Sequence, residues 1–199
     1  MEHIAHLQKD RRLRKIIDPQ KLVSLQKRKK IYLRICGSIL SQQLSTRVAD
    51  VLYRRFLDLY GGREPTLQQI LDTSPEVFRG IGFSRAKASY VHNVCRFFKE
   101  NGLTDARIHR MNDAEVIALL QQIKGVGLWT VEMILMFSLG RPDVFSHGDL
   151  GLRQSVVRLY GIRETDPKTI KEKIEKISQK WSPYRTYACL YLWSWKDGA

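Results

Sequence analysis

Asp149 follows Gly148 in the stretch DVFSHGDLGLRQSVVRLYG and stands where an apolar helical pattern begins. A carboxylate at that point has two uses. It can cap the helix by accepting backbone N–H groups, the ordinary role of Asp at a helix start. At the mouth of a positively charged groove it can instead stabilise a cationic sugar transition state and orient or activate water, with the helix dipole favouring its charge. Upstream, Ile123-Lys124-Gly125-Val126-Gly127 separates two apolar helical runs, AEVIALLQQ and LWTVEMILMF. So short a link must reverse the chain, and glycine supplies the positive φ or close approach that the reversal needs. The second helix then opens with N–H groups that have no helical partner, and these, with Lys124 beside them, suit a phosphate. An ordinary αα-hairpin uses the same glycines, so the turn alone leaves both readings open. It is not a dinucleotide fingerprint, because no strand precedes it and GxGxxG is incomplete.

The composition bears on the partner. The chain has 199 residues, 34 basic against 20 acidic, for a net charge of +14. That excess points to a polyanion, most simply nucleic acid, although ribosomal and membrane-surface proteins can be as basic. With 43% hydrophobic residues the chain can bury a core, and its length suits one domain or one domain of two lobes. Cys36, Cys95 and Cys189 are widely spaced in apolar stretches, which reads as buried thiols rather than a metal site. No apolar run approaches membrane-spanning length, so an intracellular protein without a membrane partner is expected, in a reducing compartment.

The elements that must position these residues read at helical period throughout. Helices are expected over 22–41 and 45–60, with Ser45 or Thr46 as cap, and Thr66 and Ser74 start short successors. Ser84 caps a long helix that Gly102 ends, and Asn112 caps the next. Helices near 127–140, 149–160, 167–180 and 183–195 follow, the last two from Asp166-Pro167 and Ser182-Pro183. The cluster QKRKK at 26–30 reads as a solvated helix start. No segment alternates at period two, so the fold class is all-α, with about ten helices.

On these stretches the chain resembles the helix-hairpin-helix DNA glycosylase superfamily, and within it the alkylation-repair branch, DNA-3-methyladenine glycosylase II. IKGVGLWTVEMILMF is similar to the family's hairpin and following helix, and DVFSHGDLGLR to its catalytic-aspartate loop. SILSQQLSTRVADVLYRRF, GIGFSRAKASYV and WSPYRTYACLYLW match further signature stretches, so the likeness covers roughly residues 2 to 196. It implies one glycosylase domain over 1–199 with two helical lobes and a central cleft for DNA and base. One lobe takes roughly 30–130 with the start of the hairpin; the N-terminal residues plus 131–199 form the other.

The resemblance implies a base-excision enzyme that bends double-stranded DNA, flips out an alkylated purine of the 3-methyladenine type and hydrolyses its N-glycosidic bond. Asp149 would be the catalytic carboxylate. An alkylated purine is already cationic and leaves without a general acid, so one carboxylate suffices where ordinary glycosidases use two. Relatives that also nick the strand carry a Schiff-base lysine at the position of Trp129, so a monofunctional enzyme is expected. Trp129 and Trp193 would line the base pocket, where cation–π attraction favours a positively charged base. Tyr187 is a weaker candidate for that pocket, and core packing is the alternative for all three.

Lys124, Gly125, Val126, Gly127 and Leu128 would grip the DNA backbone. Gln43, Leu44 and Ser45 would fill the gap left by the flipped base, Phe83 could wedge into the opposite strand, and Arg85 and Lys87 could contact phosphates. Helix packing and solvated charge are the competing roles for these residues. Some family hairpins hold a monovalent cation, Na+ or K+, on backbone carbonyls, here those of Gln121, Ile123 and Val126. No cofactor is otherwise required, and no stretch matches the iron–sulfur loop or the N-terminal β-domain of certain relatives. A monomer suffices, in the cytoplasm and nucleoid or in a nucleus.

The chain departs from the pattern where Lys124 replaces the usual hairpin proline and His147 the usual apolar residue. His147 could tune Asp149 or be an exposed loop histidine. Two rival readings remain: a non-catalytic helix-hairpin-helix DNA-binding module, and a glycosylase for another lesion such as hypoxanthine or ethenoadenine.

Overall fold

A computed structural model describes residues 2–18, 20, 24–196 and 198. Among these residues there are twelve α-helices, one 3-10 turn at Leu13–Lys15 and no strand. In chain order the helices are α1 (Glu2–Leu7), α2 (Ile31–Ser41), α3 (Thr46–Asp58), α4 (Leu67–Asp72), α5 (Pro75–Gly80) and α6 (Arg85–Glu100). They continue as α7 (Asp105–Arg110), α8 (Asp113–Leu120), α9 (Leu128–Phe137), α10 (Leu150–Tyr160), α11 (Pro167–Gln179) and α12 (Arg185–Lys196). None of the described helices is long and apolar enough to cross a membrane.

Local chemistry explains most of the boundaries. Thr66 with Gln69 and Asn112 with Glu115 form capping boxes, each satisfying two orphan backbone donors. Ser84 and Asp166 accept from the backbone three residues on. Gly102, at φ 55°, follows the end of α6, and Gly161, at φ 62°, ends α10.

Two expected helix starts fall elsewhere, for one shared reason. Of the helix expected from 22, residues 22 and 23 lie outside the described ones, and 24–30 are not helical. The basic cluster 26–30 is therefore not a helix start. The carboxylate of Asp105 accepts from Lys30 N at 2.7 Å and Ile31 N at 2.9 Å, which sets the start of α2 at Ile31. The last helix begins at Arg185 rather than 183, where Arg185 N donates to Asp143 at 3.3 Å. In both places the cap comes from a residue far off in sequence.

The chain divides into two units. One comprises residues 1–26 and 140–199, the other 27–139. In the first, α10 packs on α12 and α11 around fully buried Trp181 and Leu192. In the second, α2 is central and packs on α6, α9 and α3. The stripe Ala88, Val91, Cys95 and Phe98 on α6 is buried there at helical spacing. Because α9 packs on α2 and α8, the whole of it belongs to the second unit, past the boundary near 130 expected from chain order. Cys36, Cys95 and Cys189 are buried thiols outside any disulfide.

Candidate active site and nucleic-acid interface

In the first unit, Asp149 is the N-cap residue of α10, in extended backbone (φ −74°, ψ 118°), and its Oδ1 accepts from Leu152 N at 2.8 Å. The same oxygen accepts from the indole Nε1 of Trp193, on α12, at 3.1 Å. Capping and a second hydrogen bond therefore coexist on one carboxylate oxygen: the backbone sets its height along the helix, and the indole sets its rotation. Gly151 makes room for the pair. A Cβ there would lie 3.1 Å from Asp149 Oδ1, 3.5 Å from Lys196 Nζ and 3.6 Å from the Trp193 ring.

The loop that carries Asp149 is clamped at its beginning. Arg185 binds Asp143 through Nε at 2.7 Å and Nη2 at 3.0 Å, a bidentate pair that Ser182 Oγ extends at 2.8 Å. Burial alone would raise the Asp143 pKa, but these donors outweigh it and hold the carboxyl below its ordinary value. The Thr186 hydroxyl donates to Arg141 O at 2.7 Å and accepts from Val144 N at 3.0 Å. His147 is half-buried rather than exposed. Its ring meets Phe145 edge-on at 4.7 Å, its Nδ1 is buried without a partner, and burial lowers its pKa. Tyr187 is half-buried, with one face stacked on His3 at 4.0 Å.

In the second unit, Gly125 adopts φ 103°, and a Cβ there would sit 2.2 Å from Cγ of Tyr90. The turn therefore lies directly on a tyrosine ring, and only glycine permits it. Val126 N donates to Ile123 O at 2.9 Å, Asn93 holds Lys124 O at 3.2 Å, and Gln42 holds Gly125 O at 3.3 Å. Ile123 and Val126 are buried, while Gln121, Lys124, Gly127 and Leu128 are exposed. Gly127 is the N-cap of α9 and supplies no side-chain acceptor, so no side-chain cap covers the first-turn N–H groups of that helix. Uncapped N–H groups beside an exposed lysine have the chemistry that suits a phosphate.

Trp129 lies on the first turn of α9. With Met133 and Phe137 of the same helix, Ser38 of α2 and Tyr53 of α3, it lines a cavity of about 770 Å³. The Ser38 hydroxyl is buried there without a partner. Gln43, Leu44 and Ser45 are exposed in the turn between α2 and α3.

Two candidates stand differently from their sequence reading. Phe83 is only 4% exposed and stacks on Phe78 at 5.5 Å, so its ring belongs to the core of this unit. Lys87 directs its ammonium to Leu40 O at 2.7 Å and Gln42 O at 3.0 Å, and Arg85 beside it is exposed. Sequence reasoning missed Tyr90, Asn93 and Gln42. Only Gln42 carried a signal, as the neighbour of Gln43 in SQQLS.

The fold and these sites define a class. The chain belongs to the HhH-GPD superfamily of base excision DNA repair proteins, whose family model matches residues 36–181. It is 32% identical over 169 residues to the putative DNA-3-methyladenine glycosylase YfjP of Bacillus subtilis, covering 82% of this chain and 58% of that one. The chain thus spans less than two thirds of that relative. It is 32% identical over 195 residues to DNA-3-methyladenine glycosylase 1 of Schizosaccharomyces pombe, covering 96% of this chain and 84% of the relative. The solved structure of the S. pombe 3-methyladenine DNA glycosylase Mag1 in complex with abasic DNA superposes with a TM-score of 0.88 at 30% identity. That match covers 100% of this chain and 98% of the other.

Proposed function

We propose that this chain is a monofunctional DNA glycosylase of base excision repair, which flips an alkylated purine out of double-stranded DNA and hydrolyses its N-glycosidic bond. Family membership and the relatives named DNA-3-methyladenine glycosylase support the reaction class. The observation that carries the assignment of Asp149 is its double hold, by Leu152 N and Trp193 Nε1, at the N-terminus of α10.

The mechanism follows from charge. A purine alkylated on N3 or N7 carries positive charge and departs as a neutral base. The sugar is left as an oxocarbenium ion, and the Asp149 carboxylate stabilises it in place, without reorganisation at the moment of reaction. The same carboxylate then takes a proton from the water that attacks C1′, completing hydrolysis with one acidic group. Trp193 holds that carboxylate and presents an aromatic surface to the base. Trp129, in its cavity, offers a second aromatic face that prefers an electron-poor ring. Because Trp129 carries no amine, it cannot form a Schiff base with the abasic sugar, so no strand cleavage accompanies base release.

The unit of residues 27–139 supplies the hairpin grip on phosphate, through Lys124 to Leu128, and the gap-filling side chains Gln43, Leu44 and Ser45. Phe83 packs the core instead of wedging the duplex, and Arg85 remains a phosphate contact. The carbonyls of Gln121, Ile123 and Val126 would be the hard-oxygen donors to Na+ or K+, with Ile123 O also accepting from Val126 N at 2.9 Å. Such a cation would add positive charge at the phosphate grip, and no catalytic step depends on it. Neither an iron–sulfur cluster nor another cofactor enters the reaction. The enzyme acts as a monomer in the compartment that holds the DNA. Release of free base from an alkylated duplex, without nicking, tests the whole reading.

A further inference from the structure

The turn between α2 and α3 is anchored from two sides by residues that the mechanism above leaves unused. From α6, Lys87 Nζ donates to Leu40 O at 2.7 Å and Gln42 O at 3.0 Å. These carbonyls lie at the C-terminal end of α2, where orphan acceptors and the negative end of the helix dipole both favour a cation. Gln42 reaches the other way: its Nε2 donates to Gly125 O at 3.3 Å and Thr130 Oγ1 at 3.0 Å. Gly125 is the apex of the hairpin, and Thr130 is in the first turn of α9. Between these anchors Gln43 takes φ 59°, a left-handed conformation that non-glycine residues hold only when the surroundings impose it. Gln43, Leu44 and Ser45 nevertheless remain exposed. Backbone that is strained and tied down on both sides, yet offers its side chains to solvent, is set up for an external partner.

We propose that Lys87 and Gln42 are positioning residues that lock the 42–45 turn to the hairpin, so that gap filling and phosphate grip act as one rigid element. The inference rests on the glycosylase reading above. An extrahelical nucleotide leaves a hole in the stack, and a filler that is ordered beforehand loses less entropy on entering it. Lys87 then serves DNA without touching it. Burial lowers its pKa, and the two carbonyls oppose that by favouring the charged form.

The test uses two duplexes of one length, one undamaged and one carrying a tetrahydrofuran abasic analogue with 2-aminopurine opposite. Lys87→Met keeps the aliphatic stem and removes the donor, and Gln42→Leu does the same for the amide. Both variants should lose about tenfold of the preference for the abasic over the undamaged duplex, the cost of ordering a few side chains on binding. The 2-aminopurine signal that reports a filled gap should fall with it. Lys87→Arg, which keeps charge and N–H donors, should recover most of the preference. Retention of the preference in both variants, or equal loss on both duplexes, contradicts the proposal. Thermal unfolding reveals a variant that fails to fold, and the other variant then decides. No preference for the abasic duplex in wild type itself would overturn the glycosylase reading, and with it this inference.

Discussion

The indole of Trp193 donates to the Asp149 oxygen that also caps α10, at 3.1 Å, so one carboxylate oxygen is fixed by two donors from different helices. A carboxylate that only capped a helix would need no second donor. The indole adds rotational definition, which is what stabilising charge at a defined point requires.

Trp193→Phe removes that donor and keeps the aromatic surface. A hydrogen bond to a charged acceptor contributes about 1.5–3 kcal/mol, so single-turnover base release should fall roughly 10- to 100-fold. Duplex affinity should change little. An unchanged rate would show that Leu152 N alone orients Asp149.

Gly125→Ala places a methyl group 2.2 Å from Cγ of Tyr90 and at φ 103°. Strain of that kind costs about 2 kcal/mol or more. Thermal unfolding should reveal the loss, and binding to undamaged duplex should weaken, because the hairpin must shift to relieve the clash. Full stability with full affinity would mean the turn does not rest on Tyr90.

Phe83→Leu separates wedge from core. The ring is 4% exposed among Phe56 and Phe78, so the change should cost about 1–2 kcal/mol of stability. The base-release rate of the folded fraction should stay near wild type. A large loss of rate at unchanged stability would return the wedge role to Phe83.

Asp10 gives a pH signature. Burial would raise its pKa, but hydrogen bonds from Tyr160, from the backbone of Leu13 and Arg12, and from Trp181 outweigh it, so the folded-state pKa lies below 3.8. A depressed carboxylate pKa stabilises the fold above the unfolded value, and that contribution disappears as pH falls through the folded value. Stability measured by urea unfolding should therefore decline below about pH 4, as the ordinary carboxylate range is crossed. Asp10→Asn should lower stability at pH 7 and flatten that acid limb. A limb of unchanged steepness would assign the transition to other carboxylates.

How much of this was legible in the sequence depends on how far each cause lies from its effect. Caps within one turn, such as Thr66, Ser84, Asn112 and Asp166, are local chemistry, and their helices start where the residue types place them. The starts of α2 and α12 were misplaced because Asp105 and Asp143 supply those caps from a distance. The two-glycine turn was visible, but Tyr90 beneath it was not, since nothing in helical periodicity says which face meets a turn elsewhere. Asp149 was visible as a capping aspartate. Its bond to Trp193 spans 44 positions and appears only once α10 and α12 are packed. Lys87 read as a free cation because charge in a sequence does not reveal the carbonyls it meets.

Asp149 is proposed to carry out base excision. The direct measurement incubates a duplex bearing one 3-methyladenine with wild-type protein and with Asp149→Asn, scoring base release and strand nicking separately. Free base is expected from wild type alone, with nicking only after alkali and duplex binding by both proteins. Base release by Asp149→Asn at the wild-type rate would contradict that role. So would intact binding with no release by either protein, which would leave a DNA-binding module or a different lesion.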